Sequence, residues 1–291
     1  MAKRNTFTGA SLDRAGALRR DADRVAALRS APESRALVIS PDGVYLRPDG
    51  GPALVPLDGA GEPVLLGLED GGRALFALDA AGAAPAAMDG AAPTGLRDAA
   101  TLLDQYDGGL VAYAAALLNW HRRHPHCSVC GARTRVEEAG LLRVCPACGA
   151  EHHPRTDPVV IMLVVDGDRV LLGRQPAWPP RRFSALAGFV EPGESLEEAV
   201  AREVREESGA EVADPRYVSS QPWPFPGSLM LGFTARYVAG EVRVRDGELD
   251  DVGWFDRVTV AAAAQEGGPL RLPPRFAIAR RLLDGWLAGD L

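Results

Sequence analysis

Glutamates are concentrated in one short stretch of the chain, GFVEPGESLEEAVAREVREESG, at residues 188–209. Ser195 and Glu198 within it have the spacing of a capping box, at which a helix begins. Gly209 is a typical helix stop, so the sequence predicts a helix over about 196–208.

The glutamates of this predicted helix do not all lie on its solvent face. At about 100° per residue, the apolar stripe that begins at Leu196 continues into Glu203 and Glu207, with Glu206 beside them. A glutamate run that serves only solubility would lie on the opposite face, as Glu197 does. Carboxylates that converge on a partly buried face repel one another, so raised pKa values or bound divalent cations must offset the repulsion. Oxygen ligands on one helix suit Mg²⁺ or Mn²⁺ held jointly with a substrate phosphate.

Cysteine is confined to a second segment, CSVCGARTRVEEAGLLRVCPACG. Its four cysteines form two Cys-x2-Cys pairs: Cys127, Cys130, Cys145 and Cys148. Two such pairs on knuckle turns place four thiolates around one Zn²⁺, and this double spacing disfavours a redox pair or free core cysteines. Four sulfur ligands leave no open position, so we expect one structural zinc per chain. Nucleic-acid binding by this segment stays an alternative, because five arginines flank the cysteines: Arg122, Arg123, Arg133, Arg135 and Arg143.

Length and charge narrow the class of protein. A chain of 291 residues is long enough for two domains, and its 46% hydrophobic residues can form proper cores. The net charge of -7 does not by itself recruit long nucleic acid. The N-terminal segment lacks the apolar core of a secretory signal and carries acidic residues, so we interpret it as mature protein. No apolar run approaches the ~20 residues that span a bilayer, and the expected location is cytoplasmic.

The elements that position these residues follow from local patterns. Short apolar runs with turn signals over 35–79 predict hairpins of an antiparallel sheet, and the segment 81–95 predicts a loop or linker. One or two helices with a Gly-Gly interruption are expected over 96–121. Two buried strands around an Asp-Gly-Asp turn are expected over 157–175, and an amphipathic helix over 273–289.

The glutamate stretch also resembles a known motif. Gly188, five residues, Glu194, seven residues and then REVREESGA resemble the Nudix box GX5EX7REUXEEXGU, with Ala210 as a small occupant of the last position. The resemblance implies hydrolysis of a nucleoside diphosphate linked to another group, with divalent metals held by the box. It implies that Arg202 braces the loop and helix together with Glu194. It assigns metal binding or water activation to three glutamates, without choosing the general base: Glu203, Glu206 and Glu207.

The residues after the box narrow the substrate. SQPWPFPGS resembles the signature of the NADH pyrophosphatase subfamily of Nudix enzymes, which also has a four-cysteine zinc motif and an extra N-terminal domain. Without the resemblance, this stretch would be a Pro-rich edge turn with buried aromatics. The resemblance implies a substrate-binding loop made of Gln221, Pro222, Trp223, Pro224, Phe225, Pro226, Gly227 and Ser228.

Four further positions match functional residues of that subfamily. Phe189 matches an aromatic that stacks on nicotinamide, and Glu248 matches a downstream metal ligand, the alternative being an exposed turn acid. Ala187 and Ala279 match positions whose backbone contacts the metal and the substrate, respectively.

Two more positions carry open alternatives. Arg97 matches a substrate-contacting arginine or is a surface residue at a helix start. His153 stands where relatives have Tyr or Phe in contact with the substrate base, which puts base preference in doubt; surface placement of His152 and His153 is the alternative.

Together, these features predict an N-terminal α+β domain (1–95), a helical connector (96–123), a zinc ribbon (124–156) and a C-terminal Nudix domain (157–291). The last is expected to be an α/β/α sandwich around a mixed sheet. The resemblance implies hydrolysis of NAD(H) to nicotinamide mononucleotide and AMP with Mg²⁺ or Mn²⁺, in a homodimer without membrane partners. Removal of NAD caps from RNA is a further hypothesis.

Two alternative functions stay open. One is a Nudix hydrolase for dinucleoside polyphosphates or ADP-sugars. The other is an inactive regulator that binds nucleotide or nucleic acid.

Overall fold

The computed structural model describes residues 5–57, 61–80, 88, 90–245, 247–263, 268 and 270–291. The chain divides into two compact units. We call Thr6–Thr156 with Pro222–Gly227 the N-terminal unit, and Asp157–Gln221 with Ser228–Leu291 and Asn5 the C-terminal unit. The boundaries of the four domains expected from the sequence stay a prediction.

The N-terminal unit contains a mixed sheet. After helix α1 (Ala22–Ser30), its strands are β1 (Arg35–Ser40), β2 (Gly43–Leu46), β3 (Leu54–Val55), β4 (Val64–Leu68), β5 (Ala74–Asp79) and β6 (Ala92–Thr94). Their order is β4-β5-β1-β2-β6, with β3 paired to β1. The purely antiparallel sheet expected from the sequence is wrong, because β1 and β5 are parallel. The intervening strands give the chain enough length to return beside β1 in the same direction.

The segment expected to be a loop or linker, 81–95, is only partly described, since 81–87 and 89 lie outside the described residues. Its end forms β6, which pairs with β2 and extends the sheet. Here a pairing partner overrides the Pro- and Ala-rich local sequence.

Two helices follow, α2 (Leu96–Leu102) and α3 (Gln105–Arg123). The expected break at the glycine pair is wrong: the helices separate at Leu103, and Asp104 caps α3 by accepting from the backbone N–H of Asp107. The glycines lie inside α3, where a Cβ on Gly109 would come within 2.7 Å of the backbone nitrogen of Ala10. Close approach of the neighbouring backbone, not helix termination, requires glycine there.

The cysteine segment forms a small antiparallel sheet at the end of the N-terminal unit. Its strands are β7 (Arg135–Glu137), β8 (Leu142–Val144) and β9 (Glu151–His152).

The C-terminal unit has a second mixed sheet, as expected. Its elements are β10 (Asp157–Asp166), β11 (Arg169–Arg174), β12 (Leu186–Phe189), α4 (Leu196–Ser208), β13 (Glu211–Trp223), β14 (Ser228–Ala239), β15 (Asp251–Asp256), α5 (Arg257–Ala263) and α6 (Ile278–Ala288). The strand order is β13-β14-β10-β11-β15, and β12 pairs with β10. β10 is parallel to β14 and antiparallel to β11 and β12.

Strand β10 separates two cores. Its residues Ile161 and Leu163 pack in a cluster with Leu282 of α6, whereas Met162 packs in another cluster with Val200 of α4. Because successive side chains of a strand point to opposite faces, a fully apolar strand supports helices on both sides. The α/β/α sandwich is therefore confirmed. Helix α4, which carries the box glutamates, packs on the face of the sheet that contains Met162.

Within the described ranges, no helix combines the length and the apolar character that a bilayer crossing requires.

Candidate functional site

Helix α4 begins and ends where the sequence predicts. The Ser195 hydroxyl accepts from the backbone N–H of Glu198 at 3.2 Å, and the Glu198 carboxylate accepts from the backbone N–H of Ser195 at 2.7 Å. Gly209 ends the helix in the left-handed conformation, with φ of 75°. These caps fix the register of the glutamates on the sheet.

Arg202 lies at the centre of the glutamate cluster. Its guanidinium donates to both carboxylate oxygens of Glu194 at 2.6 and 2.9 Å, and to the carbonyl oxygen of Phe189 at 2.8 Å. It also donates to Glu203 at 2.8 Å and to Glu206 at 3.0 Å. The Arg202 guanidinium thus links the loop before α4 to the helix.

Arg202 and Glu194 shift each other's pKa values. The pKa of Arg202 is raised, chiefly by its hydrogen bonds to Glu194. The pKa of Glu194 falls to about 2, because Arg202 and then the backbone N–H of Glu191 stabilise its ionised form. Glu194 therefore stays charged and holds the loop at any pH near neutrality.

The three box glutamates differ in exposure. Glu203 and Glu207 are buried, with 9% and 3% of their surface exposed, whereas half of the Glu206 side chain is open to solvent. The helical pattern thus predicted the buried face correctly for two of them. Burial raises the pKa of Glu203; the Arg202 hydrogen bond lowers it, and repulsion from Glu206 and Glu248 raises it further. The exposed Glu248 is therefore within electrostatic reach of Glu203.

Gly188 leaves the space that Glu203 occupies. A Cβ at this position of β12 would lie 1.9 Å from the Glu203 carboxylate carbon. Next to it, Ala187 pairs with Ile161 of β10, so its backbone is held by the sheet. Phe189 follows with 60% of its surface exposed, while its carbonyl oxygen is engaged by Arg202.

The glutamates fit a hard divalent cation by their chemistry. Carboxylate oxygens are the ligands that Mg²⁺ and Mn²⁺ prefer, and Gly188 leaves room for the Glu203 carboxylate against the sheet. They are not gathered into a closed cluster, however. Among the described residues, ligand atoms of three or more acidic, His or Cys side chains meet within 4.8 Å only at the four cysteines.

The expected substrate loop has two parts in the structure. Gln221, in the C-terminal unit, is fully buried, and its amide nitrogen donates to the carbonyl oxygen of Phe276 at 2.7 Å. Its amide oxygen accepts from the backbone N–H of Ile278 at 2.8 Å, at the first residue of α6. Gln221 therefore holds the start of α6, where the buried Ala279 follows.

The second part, Pro222–Gly227, packs within the N-terminal unit. The rings of Trp223 and Phe225 lie edge to face with centroids 5.0 Å apart, and Phe7 lies 5.8 Å from Phe225. The Arg97 guanidinium lies 4.2 Å from the centre of the Phe225 ring. Asn119 of α3 donates to the carbonyl oxygen of Pro226 at 3.3 Å.

The sequence singled out Arg97 as a substrate-contacting or surface residue but did not predict its contact with Phe225, nor Phe7 and Asn119 as partners of this segment. Phe7 is a single aromatic outside any periodic pattern, and Asn119 is one of several polar residues on α3, so neither carries a local signal. Ser228 begins β14 in the C-terminal unit.

The four cysteines come together as predicted. The sulfur atoms of Cys127 and Cys148 are 3.6 Å apart, and those of Cys130 and Cys145 are 3.4 Å apart. This set fits one tetrahedral zinc ion with no open position. The imidazole Nε2 of His152 lies 3.3 Å from the sulfur of Cys127, a contact that the sequence analysis did not anticipate. His153 is exposed immediately after β9.

The flanking arginines differ in their surroundings. Arg122 pairs with Asp79 at 3.0 Å, and Arg123 is exposed. Arg143 is buried and donates to the hydroxyl of Thr134 at 2.7 Å. Burial lowers the pKa of Arg143, and the positive charge of Arg133 lowers it further.

Comparison with known proteins places this arrangement in a family. Residues 155–273 match the NUDIX domain, residues 122–152 the NADH pyrophosphatase zinc ribbon domain, and residues 28–120 an NADH pyrophosphatase-like rudimentary NUDIX domain. NAD-capped RNA hydrolase NudC of Mycobacterium tuberculosis is 46% identical over 237 residues, which cover 78% of this chain and 76% of that protein. The chain belongs to the NADH pyrophosphatase group of the Nudix family. The resemblance seen in the sequence is confirmed.

One more relative and one solved structure are also similar to parts of this chain. Human NAD-capped RNA hydrolase NUDT12 is 44% identical over 197 residues, 64% of this chain and 43% of that protein. A crystal structure of a NUDIX hydrolase from Nitrosomonas europaea is 26% identical, covers 45% of this chain and 77% of that one, and has a TM-score of 0.40. The match of residues 28–120 to a rudimentary NUDIX domain adds a relationship that the sequence analysis missed, because this segment has no glutamate box.

Proposed function

We propose that the protein hydrolyses the pyrophosphate bond of NAD(H) to nicotinamide mononucleotide and AMP, and the same bond in NAD caps at RNA 5′ ends. The observation that carries this proposal is the bracing of three glutamates by Arg202 on α4, in a chain that belongs to the NADH pyrophosphatase group. Two relatives of this chain are named NAD-capped RNA hydrolases.

Mg²⁺ or Mn²⁺ would be held by four carboxylates and one backbone carbonyl: Glu203, Glu206, Glu207, Glu248 and Ala187. When bound, the cation supplies neutralisation of the pyrophosphate charge and activation of water. Among the chain's own residues, Arg202 orients Glu203 and Glu206 through its hydrogen bonds, and Gly188 leaves room for the Glu203 carboxylate. We assign the proton transfer to the group Glu203, Glu206 and Glu207 without choosing among them.

The exposed ring of Phe189 is proposed to stack on the nicotinamide, since its backbone is fixed by Arg202 while the ring remains open. Gln221 acts through the start of α6, and Ala279 offers a backbone contact there.

The segment Pro222–Gly227 with Ser228 is proposed to supply further substrate contacts. Trp223 and Phe225 offer aromatic surface, and Arg97 acts by holding Phe225. His153 is proposed to contact the base in place of an aromatic ring.

Several finer properties belong to the same proposal. The chain would act as a cytoplasmic homodimer, with its ribbon zinc in a structural role. It would consist of four domains, at residues 1–95, 96–123, 124–156 and 157–291.

Product analysis tests the proposal. The zinc-loaded protein is offered NADH, NAD⁺ and NAD-capped RNA with Mg²⁺ or Mn²⁺, and ADP-ribose and a diadenosine polyphosphate serve as competing substrates. We expect AMP and nicotinamide mononucleotide from the dinucleotides, and their loss in Glu207→Gln. Glu197→Gln is the matched control, because Glu197 is exposed on the same helix. Faster cleavage of ADP-ribose than of any NAD compound, or full activity of Glu207→Gln, would refute the proposal.

A further inference from the structure

A cavity of about 540 Å³ lies within the N-terminal unit, beside the zinc ribbon. Its charged and titratable lining residues are Arg29, Glu62, His121, Arg133, Arg135 and Arg143. Four arginines face one glutamate, so the lining has an excess of positive charge in a chain whose net charge is -7. Nothing in the proposed hydrolysis uses this cavity.

The wall of the cavity is fixed by buried hydrogen bonds. Arg143 donates to the Thr134 hydroxyl at 2.7 Å and to the Thr134 carbonyl oxygen at 3.2 Å. It also lies 2.9 Å from Nδ1 of His121, whose Nε2 lies 2.9 Å from the carbonyl oxygen of Gly140. Because arginine only donates, His121 accepts at Nδ1 and donates at Nε2, and is therefore the neutral tautomer. Within the described ranges, Arg143 forms no ion pair with a carboxylate, and its hydrogen-bond partners are neutral.

The other arginines differ in how far their charge is compensated. Arg29 donates to the carbonyl oxygen of Gly61 at 2.7 Å, and this neutral acceptor does not cancel its charge. Arg135 pairs with Glu137 at 2.6 Å. Arg133 is exposed, lines the same cavity and forms no ion pair within the described part of the chain.

We propose that this cavity binds the phosphate group of a small molecule, with the exposed Arg133 as the principal contact. Guanidinium groups bind phosphate oxygens with two parallel hydrogen bonds, and a bound anion would relieve the repulsion between Arg133 and Arg143. The volume lies in the range of about 300–1,000 Å³ that is typical of small-molecule sites. An RNA strand would instead require a longer basic track, so a compact phosphate ligand is favoured.

Calorimetric titration of the full-length, zinc-loaded protein with inorganic phosphate and with pyrophosphate tests this site, without added divalent cation. We expect one pyrophosphate per chain, with affinity reduced about tenfold in Arg133→Ala and more in Arg133→Glu, as for the loss of one charge-assisted hydrogen bond. Arg123→Ala is the matched control, since Arg123 is exposed near the ribbon but does not line the cavity. Zinc content and NADH hydrolysis of each variant show that it is folded.

Three outcomes would overturn the proposal. They are absence of pyrophosphate binding to the wild type, unchanged affinity in Arg133→Glu, and an equal loss in Arg123→Ala. A further titration uses an uncapped oligoribonucleotide. If it binds through Arg133 and pyrophosphate does not displace it, the cavity is a nucleic-acid contact and the small-ligand proposal is wrong.

Discussion

Replacing Gly188 by alanine should inactivate the protein without unfolding it. The added Cβ would lie 1.9 Å from the Glu203 carboxylate carbon, whereas ordinary contact begins at 3.4 Å. The carboxylate must therefore move by roughly 1.5 Å, and a misplacement of about 1 Å at a catalytic group can cost about 100-fold in rate. We expect a loss of this order or more in kcat, which corresponds to about 3 kcal/mol of transition-state stabilisation.

Stability should change little in the same variant. The clashing atoms belong to the end of a flexible side chain, and alanine is favoured over glycine in a strand by about 0.5–1 kcal/mol. Thermal unfolding should therefore match the wild type to within a few degrees, as about 1 kcal/mol shifts Tm by about 2–4 °C in a domain of this size. The apparent affinity for Mn²⁺, measured by electron paramagnetic resonance, should fall together with kcat.

A double-mutant cycle separates displacement of Glu203 from other effects. In a Glu203→Ala background, Gly188→Ala should cause no further loss of activity, because the displaced carboxylate is already absent. Gly253→Ala in β15 is the control, since its Cβ would meet nothing closer than 4.0 Å. Normal activity of Gly188→Ala, or additive losses in the cycle, would refute the steric explanation.

Three further predictions concern pH, zinc and the loop. The folded-state pKa of Glu194 is about 2 against an ordinary value of 4.5, so its contribution to stability is present above pH 4.5 and is lost as the pH falls toward 2. Glu194→Gln should flatten the acid side of the Tm profile, and an unchanged profile would contradict the role of Arg202. Removal of zinc should release one ion per chain in a colorimetric assay and lower Tm, because zinc binding contributes to folding; an unchanged Tm would exclude a structural role. Phe7→Ala should raise KM for NADH about threefold to tenfold with a smaller change in kcat, and should make Trp223 more accessible to iodide quenching, because two edge-to-face contacts are lost. Unaltered quenching would show that Phe7 does not order the loop.

Local patterns in the sequence predicted the elements that depend on nearby residues. The capping box at Ser195 and the stop at Gly209 define α4, and the spacing of the cysteines defines the ribbon. The exposed position of Glu206 was not anticipated, because a helical wheel gives the direction of a side chain but not the Arg202 bond that holds it outward.

Features that depend on distant pairing could not be predicted. The parallel alignment of β1 with β5 is set by how the chain returns to the sheet, which no local pattern encodes. The glycines of α3 are typical helix breakers in sequence, yet the approach of the segment near Ala10 gives Gly109 a packing role. The partners of Phe225 come from residues as distant as Phe7 and Arg97, so they emerge only in the folded chain.

The buried amide of Gln221 affects how its motif should be interpreted in other chains. It donates to one carbonyl oxygen and accepts from one N–H at the same time, which neither an ionised glutamate nor an apolar residue of similar size can do. Selection for folding alone would therefore retain glutamine here, even in a descendant that had lost its substrate. The glutamine that begins QPWPFP is therefore evidence of a shared fold. Substrate specificity must be judged from the residues that follow it.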